Sequence, residues 1–315
     1  MTRSILVTGA TGFIGGTLIR RLLGDGRAVR AAIRQTTPGL PAEAELVAIS
    51  DIGPETNWRR AVDGADAVVH LAARAHMTGE NTPDALPSFR AVNAAGSATL
   101  ARAARDAGVR RLVLLSTTTV YGDRSLGRPF DEASPLAPAT PYARSKLEAE
   151  QLVAEALQGS STEFVVLRPP LVYGAGAKGN FERLVRLVGR GIPLPLASVR
   201  NRRSLVYVGN LVDAIVRSLD HPGAAGRTYV VSDGEDVSTP ELVARIAAAL
   251  GRRARLIALP PALLRTAGTL IGRADEVARL LDDMAVDSSR IRRDLGWKPP
   301  FTFDEGLSHS IALTT

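Results

Sequence analysis

The sequence predicts an α/β protein, a doubly wound parallel Rossmann sheet followed by a smaller, mostly helical C-terminal part. Three observations carry this expectation. The strand-like segments of the first half are apolar throughout rather than alternating, as strands covered on both faces must be. Helical patterns separate them, as parallel pairing requires. The first strand runs directly into a glycine-rich turn at the start of a helix.

The elements follow in order. "SILVT" (4–8) is a strand, and "GFIGGTLIRRLLGDG" (12–26) is a helix closed by Gly24 and Gly26. Strands are expected at 28–33 and 45–50, a short helix at 57–64 and a strand at 66–72. A long helix over 84–107 leads to a strand at 110–116, and a helix over 141–158 leads to a strand at 163–169. There the rhythm breaks. "RPPLVYGAGAKGNF" (168–181) is rich in Gly and Pro and reads as a loop. A helix near 181–190, a strand at 204–208, a helix at 209–220 and a strand at 227–231 come next, and 238–315 is mostly helical. The expected division is 1–168 for the large domain and 169–315 for the smaller one, with segments near 204–231 returning to the large sheet.

Composition narrows the function classes. The 315 residues are 45% hydrophobic and 23% charged, ordinary values for a globular protein. No apolar run reaches eighteen residues, so no membrane span is expected. The start "MTRSILVTGA" enters a strand without a leader, and there is no cysteine; together these predict a cytoplasmic protein. The net charge is +7, but the arginines are dispersed and aromatics make up only 4%, which argues against nucleic acid. The four histidines show no metal-ligand spacing, and no metal is expected.

The strongest local signal is "VTGATGFIGG". Gly9, Gly12 and Gly15 follow the first strand and open its helix, where glycine lets backbone amides approach a pyrophosphate. At the end of the second strand, "AAIRQTT" offers Arg34 and no carboxylate. An acidic residue there would hold a ribose 2′-hydroxyl and an arginine a 2′-phosphate, so NADP is favoured over NAD. Asp51, after the third strand, can accept a hydrogen bond from an adenine amino group. In "YARSK", Tyr142 and Lys146 lie at i and i+4 on one helix face. An ammonium there would pull the phenol toward the range of an acid/base catalyst.

Gly9-x-x-Gly12-x-x-Gly15, Asp51, "HLAA" (70–73), Asn93 in "VNAAGS", "STTTVYG" (116–122), "YARSK", "RRSLVYV" (202–208) and "DLGWKP" (294–299) stand in a fixed order. That ordered set resembles the extended short-chain dehydrogenase/reductases, in particular their nucleotide-sugar epimerase/dehydratase branch, over essentially the whole chain. The resemblance implies an NAD(P)-dependent enzyme acting at carbon 4 of a UDP-hexose or UDP-N-acetylhexosamine, as 4-epimerase or 4-keto reductase. It implies Tyr142 as acid/base, Lys146 on the nicotinamide ribose, and Thr117, twenty-five positions before the tyrosine, as the hydroxyl partner. The cofactor would also meet Thr11, Phe13, Ile14, Ile52, Leu71, Ala72, Ala73, Asn93, Ser116 and Pro169. The sugar nucleotide would meet His76, Thr117, Thr118, Asn180 and Arg203, the last on its diphosphate. Helices near 93–107 and 141–158 are expected to build a four-helix homodimer interface.

Two departures matter. Related 4,6-dehydratases carry Asp and Glu where this chain has Thr118 and Thr119, so the dehydratase reading loses its acid/base pair. Epimerases of this kind read R-Y-F-N where this chain reads "RPPL", placing Leu171 where an asparagine meets substrate. A non-catalytic dinucleotide-binding sensor or assembly factor is the rival from another class, and retention of Thr117, Tyr142 and Lys146 together argues against it.

Overall fold

The computed structural model describes residues 4–35, 39–75 and 83–312. Seven parallel strands form the large sheet: β1 (Ser4–Thr8), β2 (Val29–Ile33), β3 (Glu45–Ala48), β4 (Ala65–His70), β5 (Arg111–Leu115), β6 (Glu163–Arg168) and β9 (Thr228–Val230). Their order is β3-β2-β1-β4-β5-β6-β9, so the chain reverses direction across the sheet between β1 and β4. Ligands of such sheets bind beyond the strand C-termini at that reversal. A small sheet of β7 (Leu171–Tyr173), β8 (Arg203–Tyr207) and β10 (Asp236–Val237) lies beyond it, in the order β10-β8-β7.

The apolar strands are covered on both sides. Alternate side chains of β1 show how: Ile5 and Val7 enter one core, Leu6 the other. Helices α1 (Phe13–Gly24), α7 (Val208–Asp220) and α11 (Ser289–Leu295) close the first face through residues such as Leu18, Leu211 and Ile291. On the opposite face, α2 (Arg59–Val62), α4 (Gly96–Asp106) and α5 (Pro141–Leu157) bring Val62, Leu100 and Val153. Ahead of α4 stand α3 (Leu86–Phe89) and a π-helical turn, Arg90–Ala95. A third core joins the small sheet to α6 (Asn180–Gly189), α8 (Thr239–Ala249) and α12 (Phe303–Ala312); Phe13 packs against both this core and the first. Between α8 and α11, α9 (Pro261–Leu270) and α10 (Ala274–Leu281) form a hairpin.

Three elements differ from the sequence expectation. The segment 168–181 is not all loop, because β7 pairs in parallel with β8; three residues between glycines and prolines gain strand geometry only from that distant partner. Of the segments near 204–231, α7 and β9 lie on the large sheet, whereas β8 belongs to the small one. The helix expected over 84–107 is α3, the π-turn and α4 in series. No helix among the described residues is long and apolar enough to cross a membrane.

Candidate active site

The glycine turn opens at the C-terminal end of β1. Gly9 has φ +67°, and a β-carbon there would come within 2.8 Å of the Ala72 amide nitrogen after β4. A β-carbon at Gly15 would overlap the Gly9 carbonyl oxygen, and one at Gly12 would lie 3.1 Å from it. Backbone therefore packs on backbone, which only glycine allows. Gly12 caps α1 without any side chain on its first amides, and Thr11 and Gly12 are exposed. Free amides and the positive end of the helix dipole form a cradle that fits a pyrophosphate. Phe13 and Ile14 are half-buried behind it.

At the rim, Arg34 and Asp51 form an ion pair of 2.9 Å, with side chains 68% and 89% exposed. The arginine read as a 2′-phosphate ligand and the carboxylate read as an adenine acceptor thus hold one another. Ile52 packs beside Gly96 of α4. Leu71 is half-buried, Ala72 buried and Ala73 exposed along the floor after β4.

Under this floor lies a polar chain that sequence reading missed. Thr8 Oγ1 lies 2.6 Å from His70 Nδ1, and His70 Nε2 lies 2.8 Å from Ser97 Oγ. Burial, with Lys146 nearby, holds His70 down to about 3, so its ring is neutral at physiological pH. Asn93, wholly buried in the π-turn, accepts from the Arg74 amide at 2.7 Å. It donates to the Arg74 carbonyl at 3.0 Å and to Ser145 Oγ at 2.9 Å. It thereby clamps the loop after β4 to α5.

Helix α5 starts cleanly because Thr140 Oγ1 accepts from the Ala143 amide at 3.1 Å and Pro141 occupies the first turn. Tyr142, Lys146 and Glu150 recur every four residues and share one face. The Tyr142 ring keeps partial solvent access and meets Phe89 edge-on, with centroids 6.3 Å apart. Lys146 is 2% exposed. Burial pushes the Tyr142 phenol up to about 12 and the Lys146 ammonium down to about 8, while Glu150 pulls the latter partly back. Burial is the cause of the raised phenol, and the pull of an ammonium one turn away acts in the opposite sense.

Glu150 is held by Arg168 in a two-pronged pair, Nε to Oε1 at 3.0 Å and Nη2 to Oε2. Both side chains are 8% exposed. Ser116 Oγ donates to the same carboxylate, and Arg168 Nη1 donates to Tyr121 at 2.6 Å. Tyr121 ends the 3₁₀ turn Thr118–Tyr121 that Thr117 caps, Thr117 Oγ1 accepting from the Thr119 amide at 3.2 Å. Pro169 accepts from the Thr118 amide at 3.0 Å. One buried ion pair thus ties together the ends of β5 and β6, the threonine turn and α5. Neither Glu150 nor Arg168 was singled out from sequence; the i+4 spacing of Glu150 from Lys146 was the available signal.

The substrate-side residues are less gathered. Thr118 is 1% exposed, and the accessible hydroxyl of the turn is that of half-buried Thr119. Asn180 is exposed at the first position of α6. Arg203 Nη1 donates to the Arg279 carbonyl at 2.5 Å and the Asp282 carbonyl at 3.2 Å, closing the C-terminus of α10. Leu171 is 38% exposed on β7. His76 lies outside the described residues.

Comparison with known proteins agrees with this geometry. The profile of the NAD dependent epimerase/dehydratase family matches residues 5–232. The chain is 41% identical to UDP-glucose 4-epimerase of Vibrio cholerae, over 98% of this chain and 95% of that one. It is 32% identical to dTDP-glucose 4,6-dehydratase of Streptomyces griseus, over 99% and 94%. Among solved structures it is similar to MoeE5 in complex with UDP-glucose and NAD: TM-score 0.79, 27% identity, 99% and 98% covered.

Proposed function

We propose, from the premise that the chain belongs to the NAD dependent epimerase/dehydratase family, that it is a UDP-sugar 4-epimerase with Tyr142 as its acid/base. The observation that carries this reading is buried Lys146 one turn beyond Tyr142, on a helix clamped by Asn93 and Glu150 to the sheet's C-terminal edge. The name and 41% identity of the Vibrio cholerae relative support the sugar class.

A nicotinamide dinucleotide bound across the glycine cradle would supply hydride exchange at carbon 4. The chain's own residues handle the proton and the positioning. Tyr142 as phenol donates its proton to the carbon-4 oxygen when the keto sugar is reduced, and as phenolate takes the proton when the alcohol is oxidised. The Lys146 ammonium stabilises the phenolate that exists between these two proton transfers. Thr117 positions the same oxygen, with one of its two lone pairs already committed to the Thr119 amide. Asn180 and Arg203 are assigned to the sugar nucleotide, the latter after exchanging carbonyl partners for phosphate oxygens. The outer faces of α4 and α5 are assigned to a homodimer.

A second reading, 4-keto-sugar reductase, is favoured by two observations. Leu171 presents an apolar side chain where epimerases place asparagine, and Arg34 suits NADP. Its exposed partner Asp51 costs at most about 1 kcal/mol to release.

The test supplies purified protein with UDP-glucose and UDP-N-acetylglucosamine, and separately with a UDP-4-keto-hexosamine and NADPH or NADH. Interconversion of 4-epimers without net consumption of reduced cofactor supports the epimerase; stoichiometric loss of its absorbance supports the reductase. Tyr142→Phe should lower either rate by about 10²- to 10⁴-fold. An unchanged rate removes Tyr142 from the chemistry.

A further inference from the structure

Three threonines follow Ser116 beyond the end of β5, and the turn they enter separates their hydroxyls. Thr118 is buried, its amide donating to the Pro169 carbonyl at 3.0 Å, and Val120 and Tyr121 are buried after it. The Gly122 amide closes the turn on the Thr119 carbonyl at 3.2 Å, and the turn packs on α5. Half-buried Thr119 meets Thr117 with two groups. Its amide donates to Thr117 Oγ1 at 3.2 Å, and its own Oγ1 lies 3.0 Å from the same atom.

A hydroxyl has one proton to give and two lone pairs that accept. The carbon-4 oxygen asks the same of Thr117 in either direction of the reaction. As a ketone it has only lone pairs. As an alcohol its one proton goes to the Tyr142 phenolate, so it again offers Thr117 a lone pair. Thr117 must therefore donate to that oxygen, and must not accept the proton that Tyr142 is to take. The Thr119 amide fills one acceptor position of Thr117 and leaves the other open. The Thr119 hydroxyl fills the second when it donates. With both lone pairs occupied from within the turn, Thr117 has only its proton left for the sugar. Donation along the row also polarises the Thr117 O–H bond and strengthens the hydrogen bond it gives.

We propose that Thr119 is a positioning residue of the acid/base site: its hydroxyl donates to Thr117 Oγ1 and makes Thr117 a donor only, directed at the carbon-4 oxygen. This role rests on Tyr142 being the acid/base at carbon 4. Neither neighbour can fill it, because Thr118 is 1% exposed and the Ser116 hydroxyl donates to Glu150.

The test follows the reaction that the wild-type chain catalyses, with UDP-glucose and UDP-N-acetylglucosamine for epimerisation and a UDP-4-keto-hexosamine with NADPH or NADH for reduction. Thr119→Val exchanges the hydroxyl for a methyl group. It should lower kcat by about 3- to 10-fold, the net worth of one hydrogen bond, with KM changed by less than about twofold and the thermal midpoint unaltered. Thr119→Ser keeps the hydroxyl and should recover most of that rate. Thr117→Val should cost about 10²-fold. Adding Thr119→Val to it should cost less than about twofold more, because the second hydroxyl then has nothing to orient. An undiminished loss from Thr119→Val in the Thr117→Val background, or a change confined to KM, overturns the proposal, since Thr119 would then bind the sugar itself. Thr119→Ser no faster than Thr119→Val overturns it too, since the side chain would then only fill space. A wild-type chain inactive in both reactions overturns the role of Tyr142 and that of Thr119 with it, whereas an active chain indifferent to Thr119→Val overturns the role of Thr119 alone.

Discussion

Two arginine–carboxylate pairs flank the candidate site, and their surroundings separate them. Arg168–Glu150 is two-pronged and 8% exposed on both sides, with Ser116 and Tyr121 satisfying its remaining atoms. Arg34–Asp51 has one contact at 2.9 Å and stands 68% and 89% exposed. The same chemistry therefore does opposite jobs. In low dielectric, neither partner of the first pair can be removed without stranding a charge, which makes it a fixed joint between α5 and the sheet. In solvent the second pair is worth little and can be exchanged for a ligand.

The largest expected effect tests the fixed joint. Glu150→Gln leaves Arg168 buried without its counter-charge and should destabilise the fold by about 3–5 kcal/mol in urea unfolding. Glu150→Leu with Arg168→Met removes both charges and should recover most of that loss. A double variant as unstable as the single would mean that the hydrogen bonds of Ser116 and Tyr121, rather than the stranded charge, hold the joint.

Next comes Lys146, buried beside that joint. Its folded-state value is lowered to about 8 from an ordinary 10.5. Below pH 8 both folded and unfolded chains carry the proton, and the folded chain bears the full cost of a buried charge. Between about 8 and 10.5 only the unfolded chain keeps the proton, so stability rises with pH across that window. Lys146→Met should therefore raise the thermal midpoint at pH 7, by about 1–3 kcal/mol of stability, while abolishing turnover. A midpoint that falls at pH 7 would show that Lys146 is better solvated than its burial implies.

The smallest effect belongs to the exposed pair. Arg34→Ala should change folding stability by less than about 1 kcal/mol. It should weaken NADP binding by about tenfold and leave NAD nearly unaltered, read by fluorescence titration. Equal loss for both cofactors would assign Arg34 to the adenine or pyrophosphate side rather than to a 2′-phosphate.

Local signals made much of this molecule legible. The glycine turn, the apolar strands and the Tyr142–Lys146 register are short-range patterns whose meaning depends on neighbours in sequence. What escaped reading depends on distant partners. β7 is a strand only because β8 lies beside it. Glu150 has meaning only once Arg168, eighteen residues away, is folded onto it. The His70 chain joins three elements through single atoms that no periodicity announces. The Tyr142–Lys146 proximity was readable in the spacing, whereas the burial that raises the phenol was not.

The π-helical turn Arg90–Ala95 has a consequence for how this site can change over evolutionary time. Such a turn holds one residue more than the regular helix it interrupts. Deleting a single residue there would let α3 and α4 merge into one ordinary helix, turning everything upstream by about 100° relative to α4. Asn93 would swing away from Ser145 and Arg74, uncoupling the loop after β4 from α5. Substitutions alter this locus gradually, but an indel would act on it as a discrete mechanical step. Natural length variation should accordingly gather in the surface loops and spare this one turn.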